Sequence, residues 1–229
     1  MMALLNKIPQ EEKDKGIVIC GDLVDRGLRS MQVVQWCIDN RIPVVRGNHE
    51  QMMIDNTDKE GITLRTYADW TQNGGWRTFS SYFGEYGELR DGQTEKLFLE
   101  HVEWMKQLPY YLEFKDVKND KNEYLLITHS SAAAVWKWSD ERRKQFSGQF
   151  NDFLMWSRPN LIRPIPGIYN VFGHTPRKDG PRIKSCYSNI DTGCCYLDQG
   201  YGVLTALQYP DMIVYSQENI DEHSEAHDE

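Results

Sequence analysis

Four side chains with metal-ligating chemistry, Asp22, Asn48, His129 and His174, stand in four separate segments of this sequence. Each comes just after a short apolar run of the kind that forms a buried strand, so one sheet rim could gather all four. A carboxylate, an amide oxygen and two imidazoles suit a divalent transition metal such as Mn²⁺, Fe²⁺ or Zn²⁺. A structural zinc site would want thiolates in a closed tetrahedron, and no cysteine falls inside these blocks. Open coordination positions point to catalysis. Taken singly, Asp22 could be a turn residue or a helix cap, and either histidine could be a core or loop residue. The joint pattern carries the argument: Gly21-Asp22-Leu23-Val24-Asp25-Arg26-Gly27, then Arg46-Gly47-Asn48-His49-Glu50, then two strand-end histidines.

The elements that must position these residues follow from periodicity and composition. Ile17-Val18-Ile19-Cys20 and Pro43-Val44-Val45 read as strands feeding the two glycine-led blocks. Between them Ser30 can cap an amphipathic helix through Met31, Val34, Cys37 and Ile38, a βαβ pattern that implies parallel neighbours. Signals from His49 to about Phe83 are helical but interrupted at Gly74-Gly75, with Trp70, Trp76 and Phe79 available to pack. A clearer helix spans about Thr94 to Leu108 and ends before Pro109. Tyr110 to Phe114 and Tyr124 to Thr128 flank a polar turn and read as a hairpin delivering His129. A charged, helical stretch lies between Ala132 and Ser157, and three prolines then force a loop. Val171-Phe172 opens into Gly173-His174-Thr175. The remainder is β-rich, with strands expected at Ile183 to Ile190, Cys194 to Leu197, Gly202 to Gln208 and Met212 to Ser216. At the start, Met2 to Ile8 reads as the back half of a helix.

Composition excludes several classes. A net charge of −8 argues against a nucleic-acid partner or a basic membrane patch, since either needs clustered Lys and Arg. No apolar run approaches the ~18 residues of a membrane helix. The 5 cysteines are odd in number and lack CxxC spacing, and they read as free thiols of a cytoplasmic protein. Residues 1–216 are expected to form one catalytic domain and residues 217–229 an acidic, disordered tail holding His223 and His227. His101, inside a helix, is expected to be structural.

The two long blocks, the strand-end His129 and Gly173-His174-Thr175 resemble the signature motifs of the phosphoprotein phosphatase branch of the calcineurin-like metallophosphoesterases. Asn73-Gly74-Gly75-Trp76, Trp156-Ser157-Arg158 and Ile190-Asp191-Thr192-Gly193 extend the likeness over nearly the whole chain, which is most similar to the bacteriophage-lambda type. The resemblance implies an α/β fold (α+β by some schemes) with two mixed sheets packed face to face and flanked by helices. It implies a bacterial or phage metallophosphoesterase, a serine/threonine-type phosphoprotein phosphatase that cleaves phosphomonoesters with a metal-bound hydroxide. Its substrate would be a phosphorylated protein or peptide, or a small phosphoester.

Carried over residue by residue, Asp22 would bridge two divalent ions, Mn²⁺ foremost with Fe or Zn as options, and Asn48, His129 and His174 would complete one site. His49 would be the general acid, with Asp25 fixing its tautomer. Arg26 and Arg158, with Asn48, would hold the phosphoryl oxygens. The family's first block, Gly-Asp-x-His-Gly, is absent, so the resemblance implies a missing first strand, an N-terminally truncated domain, one well-held metal ion and slow turnover. Two other readings stay open: a symmetrical dinucleoside-tetraphosphate hydrolase on the same framework, which the Asp25 and Glu50 forms of the blocks disfavour, and a non-catalytic remnant that binds phosphate through Arg26 and Arg158.

Overall fold

Strand composition and helical spacing divide the chain into short alternating elements packed as layers, described by a computed structural model over residues 1–58, 61–62, 67–196 and 200–220. In chain order these are α1 (Met2–Leu5), α2 (Gln10–Lys13), α3 (Ser30–Asp39), α4 (Asn48–Asp55), β1 (Thr57–Asp58), β2 (Gly61–Ile62), α5 (Tyr67–Trp70), α6 (Trp76–Phe83) and α7 (Gly92–Met105). There follow β3 (Tyr111–Lys118), β4 (Tyr124–Thr128), α8 (Asp140–Gln145), α9 (Ser147–Trp156), β5 (Ile168–Phe172), β6 (Arg182–Ile183), β7 (Tyr187–Asn189), β8 (Val203–Gln208) and β9 (Ile213–Glu218). A one-turn 3₁₀ segment spans Ala132–Ala134, and a π-type turn, Thr71–Gly75, joins α5 to α6.

A five-stranded mixed sheet in the order β3-β4-β5-β7-β6 forms the centre. The expected hairpin is its β3-β4 edge, antiparallel with Tyr111 opposite Thr128. Strands β4 and β5 run parallel with Ile127 opposite Val171, and both are buried along nearly their whole length. Their carboxyl ends therefore finish side by side, which sets the segments carrying His129 and His174 at one rim. One face of this sheet packs under Val135, Trp136, Phe150 and Leu154. Across the other, Val45, Leu125, Ile127, Tyr169 and Val171 meet Val18, Cys20 and Leu207, the last from the β8-β9 hairpin. A second apolar centre holds α3, α4, α6 and α7 together through Val34, Met53, Tyr82, Phe83, Phe98 and Met105. Fully burying each such side chain stabilises the fold by about 1.5–3 kcal/mol.

The structure departs from the sequence reading where tertiary contacts compete with local signals. Residues 17–20 and 43–45 do not form full strands; they share one parallel bridge, Ile19 to Val44. Ile19 N donates to Pro43 O and Val45 N to Ile19 O, both at 3.0 Å. The ladder stops there because Pro43 has no N–H to give and the backbone turns away at Gly21, φ 85°. Ser30 is not a helix cap: Arg29 occupies that position, and the Ser30 hydroxyl lies 3.3 Å from Thr78 Oγ1 instead. The strand expected over residues 183–190 is split into β6 and β7 by a turn closed by Lys184 N to Tyr187 O at 2.9 Å. Residues 194–196 form a turn, with Tyr196 N donating to Gly193 O at 2.9 Å, while Leu197 lies outside the described residues. Strand β9 runs on to Glu218, and residues 221–229, with His223 and His227, also lie outside them. Helix α2, starting behind Pro9, was not anticipated. All five cysteines are free. No helix among the described residues is long and apolar enough to cross a membrane.

His101 is structural, as expected. It is 1% exposed and bridges three helices, with Nδ1 2.6 Å from the Tyr82 hydroxyl and Nε2 2.9 Å from Gln35 Oε1. Burial lowers its pKa from 6.5 to about 4, so the folded ring is neutral. As pH falls below the unfolded value near 6.5, the unfolded chain takes up a proton that the native state refuses, and stability declines until about pH 4. Between pH 7 and pH 5 this one group is expected to cost about 2 kcal/mol. Urea unfolding of the wild type and His101→Gln at both pH values checks it: the wild type should lose more stability across the interval, by that amount.

Candidate active site

Two glycine-led turns bring the first half of the site together. Helix α4 begins at Asn48 with Gly47 as its N-cap, and Glu50 in its first turn reaches back to Gly47 N at 2.8 Å. The same carboxylate accepts from Asp22 N at 2.9 Å and Leu23 N at 2.6 Å, so Glu50, fully buried, clamps both turns. Burial and the charge of Asp22 push its pKa up, against the backbone N–H donors of Asp22 and Gly47. Only glycine fits at 47, because a Cβ there would lie 2.2 Å from Asp22 Oδ1. Asp22 Oδ1 in turn accepts from His49 N at 3.2 Å.

The second half arrives from the rim of the central sheet. His129, following β4, has Nδ1 2.7 Å from Cys20 O, an acceptor, so Nδ1 carries a proton and Nε2 is the atom turned toward the other side chains of the site. That atom lies 2.9 Å from Asn48 Oδ1, 3.1 Å from His174 Nδ1 and 3.3 Å from Asp22 Oδ2. His174 Nδ1 is itself 2.9 Å from Asn48 Oδ1. Thus the four residues singled out in the sequence converge on one point. Two acceptor oxygens, Asn48 Oδ1 and Asp22 Oδ2, thus crowd around His129 Nε2, an arrangement that a divalent cation would convert into ligation. Among the described residues, Asp22, His129 and His174 form a cluster with ligand atoms within 4.8 Å of one another. The donor set fits such an ion.

The electrostatics agree. Burial lowers the pKa of His174 to about 3, helped by His129 and Arg158, so the ring stays neutral at any ordinary pH. Burial works to raise Asp22, but His129, His49 and the His49 N–H outweigh it and hold the carboxyl below its usual range.

Beside this cluster His49 and Asp25 form a buried pair, Nδ1 to Oδ2 at 2.6 Å. Burial lowers the pKa of His49, yet the charge of Asp22 and the hydrogen bond and charge of Asp25 raise it further, leaving it above its ordinary value. Asp25 is fixed by residues the sequence reading missed. Trp70 Nε1 donates to both carboxylate oxygens at 3.1 Å, and Thr78 Oγ1 donates to Oδ1 at 2.7 Å. Trp70 was legible only as a packing residue, and nothing local marks Thr78.

Arg26 N donates to Gly74 O at 3.1 Å. Gly74, at φ 98°, cannot be another residue because a Cβ would sit 2.5 Å from Arg26 Cγ. The Arg26 guanidinium lies over the Tyr196 ring, 5.3 Å from its centroid. Arg158, just beyond α9, points Nε at His174 Nε2, 3.0 Å away, and so flanks the cluster from the opposite half of the chain. Asp191 stands nearby; burial and the charge of Asp22 raise its pKa, while Gly193 N donates to its Oδ1 at 2.9 Å. Asp22, Asp25, Arg26 and His174 all have positive φ, between 56° and 72°. The L backbone resists that region, so the surrounding contacts are holding the four in place.

Comparison with known proteins bears on the whole assembly. Residues 1–178 match the family profile described as calcineurin-like phosphoesterase. The chain is 30% identical over 184 residues to serine/threonine-protein phosphatase 1 of Salmonella typhimurium, covering 79% of this chain and 74% of that protein. It is 24% identical over 226 residues to the asymmetrical bis(5'-nucleosyl)-tetraphosphatase PrpE of Bacillus subtilis, covering 90% and 81%. It is 23% identical over 258 residues to a symmetrical bis(5'-nucleosyl)-tetraphosphatase of Buchnera aphidicola, covering 93% and 90%.

Proposed function

Since this chain belongs to the calcineurin-like phosphoesterase family, we propose that it is a metal-dependent phosphoprotein phosphatase that hydrolyses phosphoserine and phosphothreonine. Asp22, Asn48, His129 and His174 would hold the cation, with Mn²⁺ the first candidate. When bound, such an ion supplies Lewis-acid polarisation of the phosphoryl group and activation of water.

The protein's own residues do the rest. Arg26 and Arg158 grip the phosphoryl oxygens, and their planar forks neutralise charge that builds up in the transition state. His49 gives its Nε2 proton to the leaving oxygen, while Asp25 holds Nδ1 and stabilises the cationic ring. Asp25 stays aligned because Trp70 and Thr78 fix both of its oxygens.

The observation that carries the choice of substrate is the buried His49–Asp25 contact of 2.6 Å. A serine or threonine alkoxide leaves badly without a proton, so a held acid is worth most there. A nucleotide phosphate leaves readily and gains less. The Salmonella relative, 30% identical, is named a serine/threonine-protein phosphatase. The second reading, a dinucleoside-tetraphosphate hydrolase, rests on the Bacillus and Buchnera relatives that carry that name. Initial rates with Mn²⁺ on a phosphothreonine peptide and on diadenosine tetraphosphate decide between them. The peptide is expected to give the higher kcat/KM; the reverse order transfers the assignment to the second reading. A remnant that only binds phosphate has no use for the acid pair, and absence of turnover on both substrates would favour it.

A further inference from the structure

The turn at residues 193–196 lies outside the acid pair and the ligand cluster, yet it reaches into the phosphate side of the site. Asp191 accepts from Gly193 N, Gly193 O accepts from both Tyr196 N and Gly202 N, and Tyr201 packs against Gly193 so closely that a Cβ there would be 2.8 Å from its ring. Tyr201 also meets Tyr196, ring centroids 5.8 Å apart. The turn is thus anchored on both sides, and what it presents to the site is the Tyr196 ring beneath Arg26. Its neighbour Cys195 feels the Arg26 charge, which works against the burial that pushes its thiol up to about 11.

Arg26 needs such support. Its backbone is held by Gly74 O and sits at φ 62°. No carboxylate in the structure forms an ion pair with its guanidinium among the described residues. An arginine paired with a carboxylate would surrender part of its charge to that partner. A ring face orients the cation and leaves its N–H edge free for an anion. We propose that Tyr196 is a positioning residue: its ring fixes the Arg26 guanidinium in the orientation that receives a phosphoryl group. The proposal rests on the reading of Arg26 as a phosphate clamp.

Two classes of readout test it, namely KM and kcat on a phosphopeptide and the inhibition constant of inorganic phosphate, on Mn²⁺-loaded protein. Tyr196→Phe keeps the face and is expected to stay within about twofold of wild type, whereas Tyr196→Leu should raise both KM and the phosphate inhibition constant about 3- to 10-fold, with a smaller change in kcat. In an Arg26→Ala background the Leu substitution should add nothing, because the residue acts through Arg26. Should Tyr196→Leu melt early, Tyr196→Met is read in its place. If Arg26→Ala weakens phosphate but Tyr196→Leu does not, or if the two losses simply add, the positioning role is overturned. If Arg26→Ala itself leaves phosphate binding unchanged, the clamp reading fails instead.

Discussion

His49→Asn is expected to lower kcat on a phosphothreonine peptide by about 10²- to 10⁴-fold, the range spanned by a positioned general acid. The loss should depend on the leaving group. On p-nitrophenyl phosphate, whose phenolate departs without much help, the same variant should lose far less, so the ratio of the two rates widens. Binding should be spared: KM for the peptide is expected to change little, since the His49 ring is held by Asp25 and the phosphoryl grip is assigned to Arg26 and Arg158. Steady-state kinetics on the two substrates, wild type beside variant, provide the check. Equal losses on both would mean that His49 serves the fold or the cation cluster and not proton transfer.

Glu50→Ala is expected to be the most damaging substitution outside the proposed ligand set. It strands three backbone donors, the buried N–H groups of Leu23 and Gly47 and the half-buried one of Asp22. At about 1–3 kcal/mol for each unsatisfied group, the cost is on the order of 3–9 kcal/mol. For a chain of this size that corresponds to a fall in Tm of roughly 10 °C or more. The same clamp aligns Asp22 with Asn48, so Mn²⁺ affinity should drop about 10- to 100-fold, the usual effect of removing an outer partner of the ligands. Scanning calorimetry and a Mn²⁺ titration of the folded variant measure the two effects separately. Glu50→Gln should fall between, because its amide nitrogen would face N–H groups where an oxygen now accepts them. An unchanged Tm in Glu50→Ala would show that water or a rearranged turn can replace the carboxylate.

Much of this site was legible in the sequence, and the reason is geometric. Asp22, Asn48, His129 and His174 each follow an apolar run, and a parallel pair such as β4-β5 aligns the ends of such runs without further instruction. The Gly47 to Glu50 spacing is also a local signal, a helix N-cap followed by an acid in the first turn, although its role as a clamp on Asp22 was not read. What stayed hidden are contacts made across long stretches of chain. Trp70 and Thr78 reach Asp25 from 45 and 53 residues away, and no periodicity announces such a meeting. The extended segments at 17–20 and 43–45 show the converse. Their β-branched residues signal strands, but length of pairing is decided by what lies beside them, and here only a single bridge forms.

The four positive-φ residues of the site carry a consequence for how this protein could be altered. At a position already in the left-handed region, glycine relieves the backbone at no steric cost. Asp22, Asp25, Arg26 and His174 are therefore places where a mutant could gain or keep foldedness while surrendering chemistry. A library ranked by heat resistance alone would tend to drift toward such variants, and one ranked by turnover would purge them. The active site is where robustness and catalysis draw on opposite choices of residue.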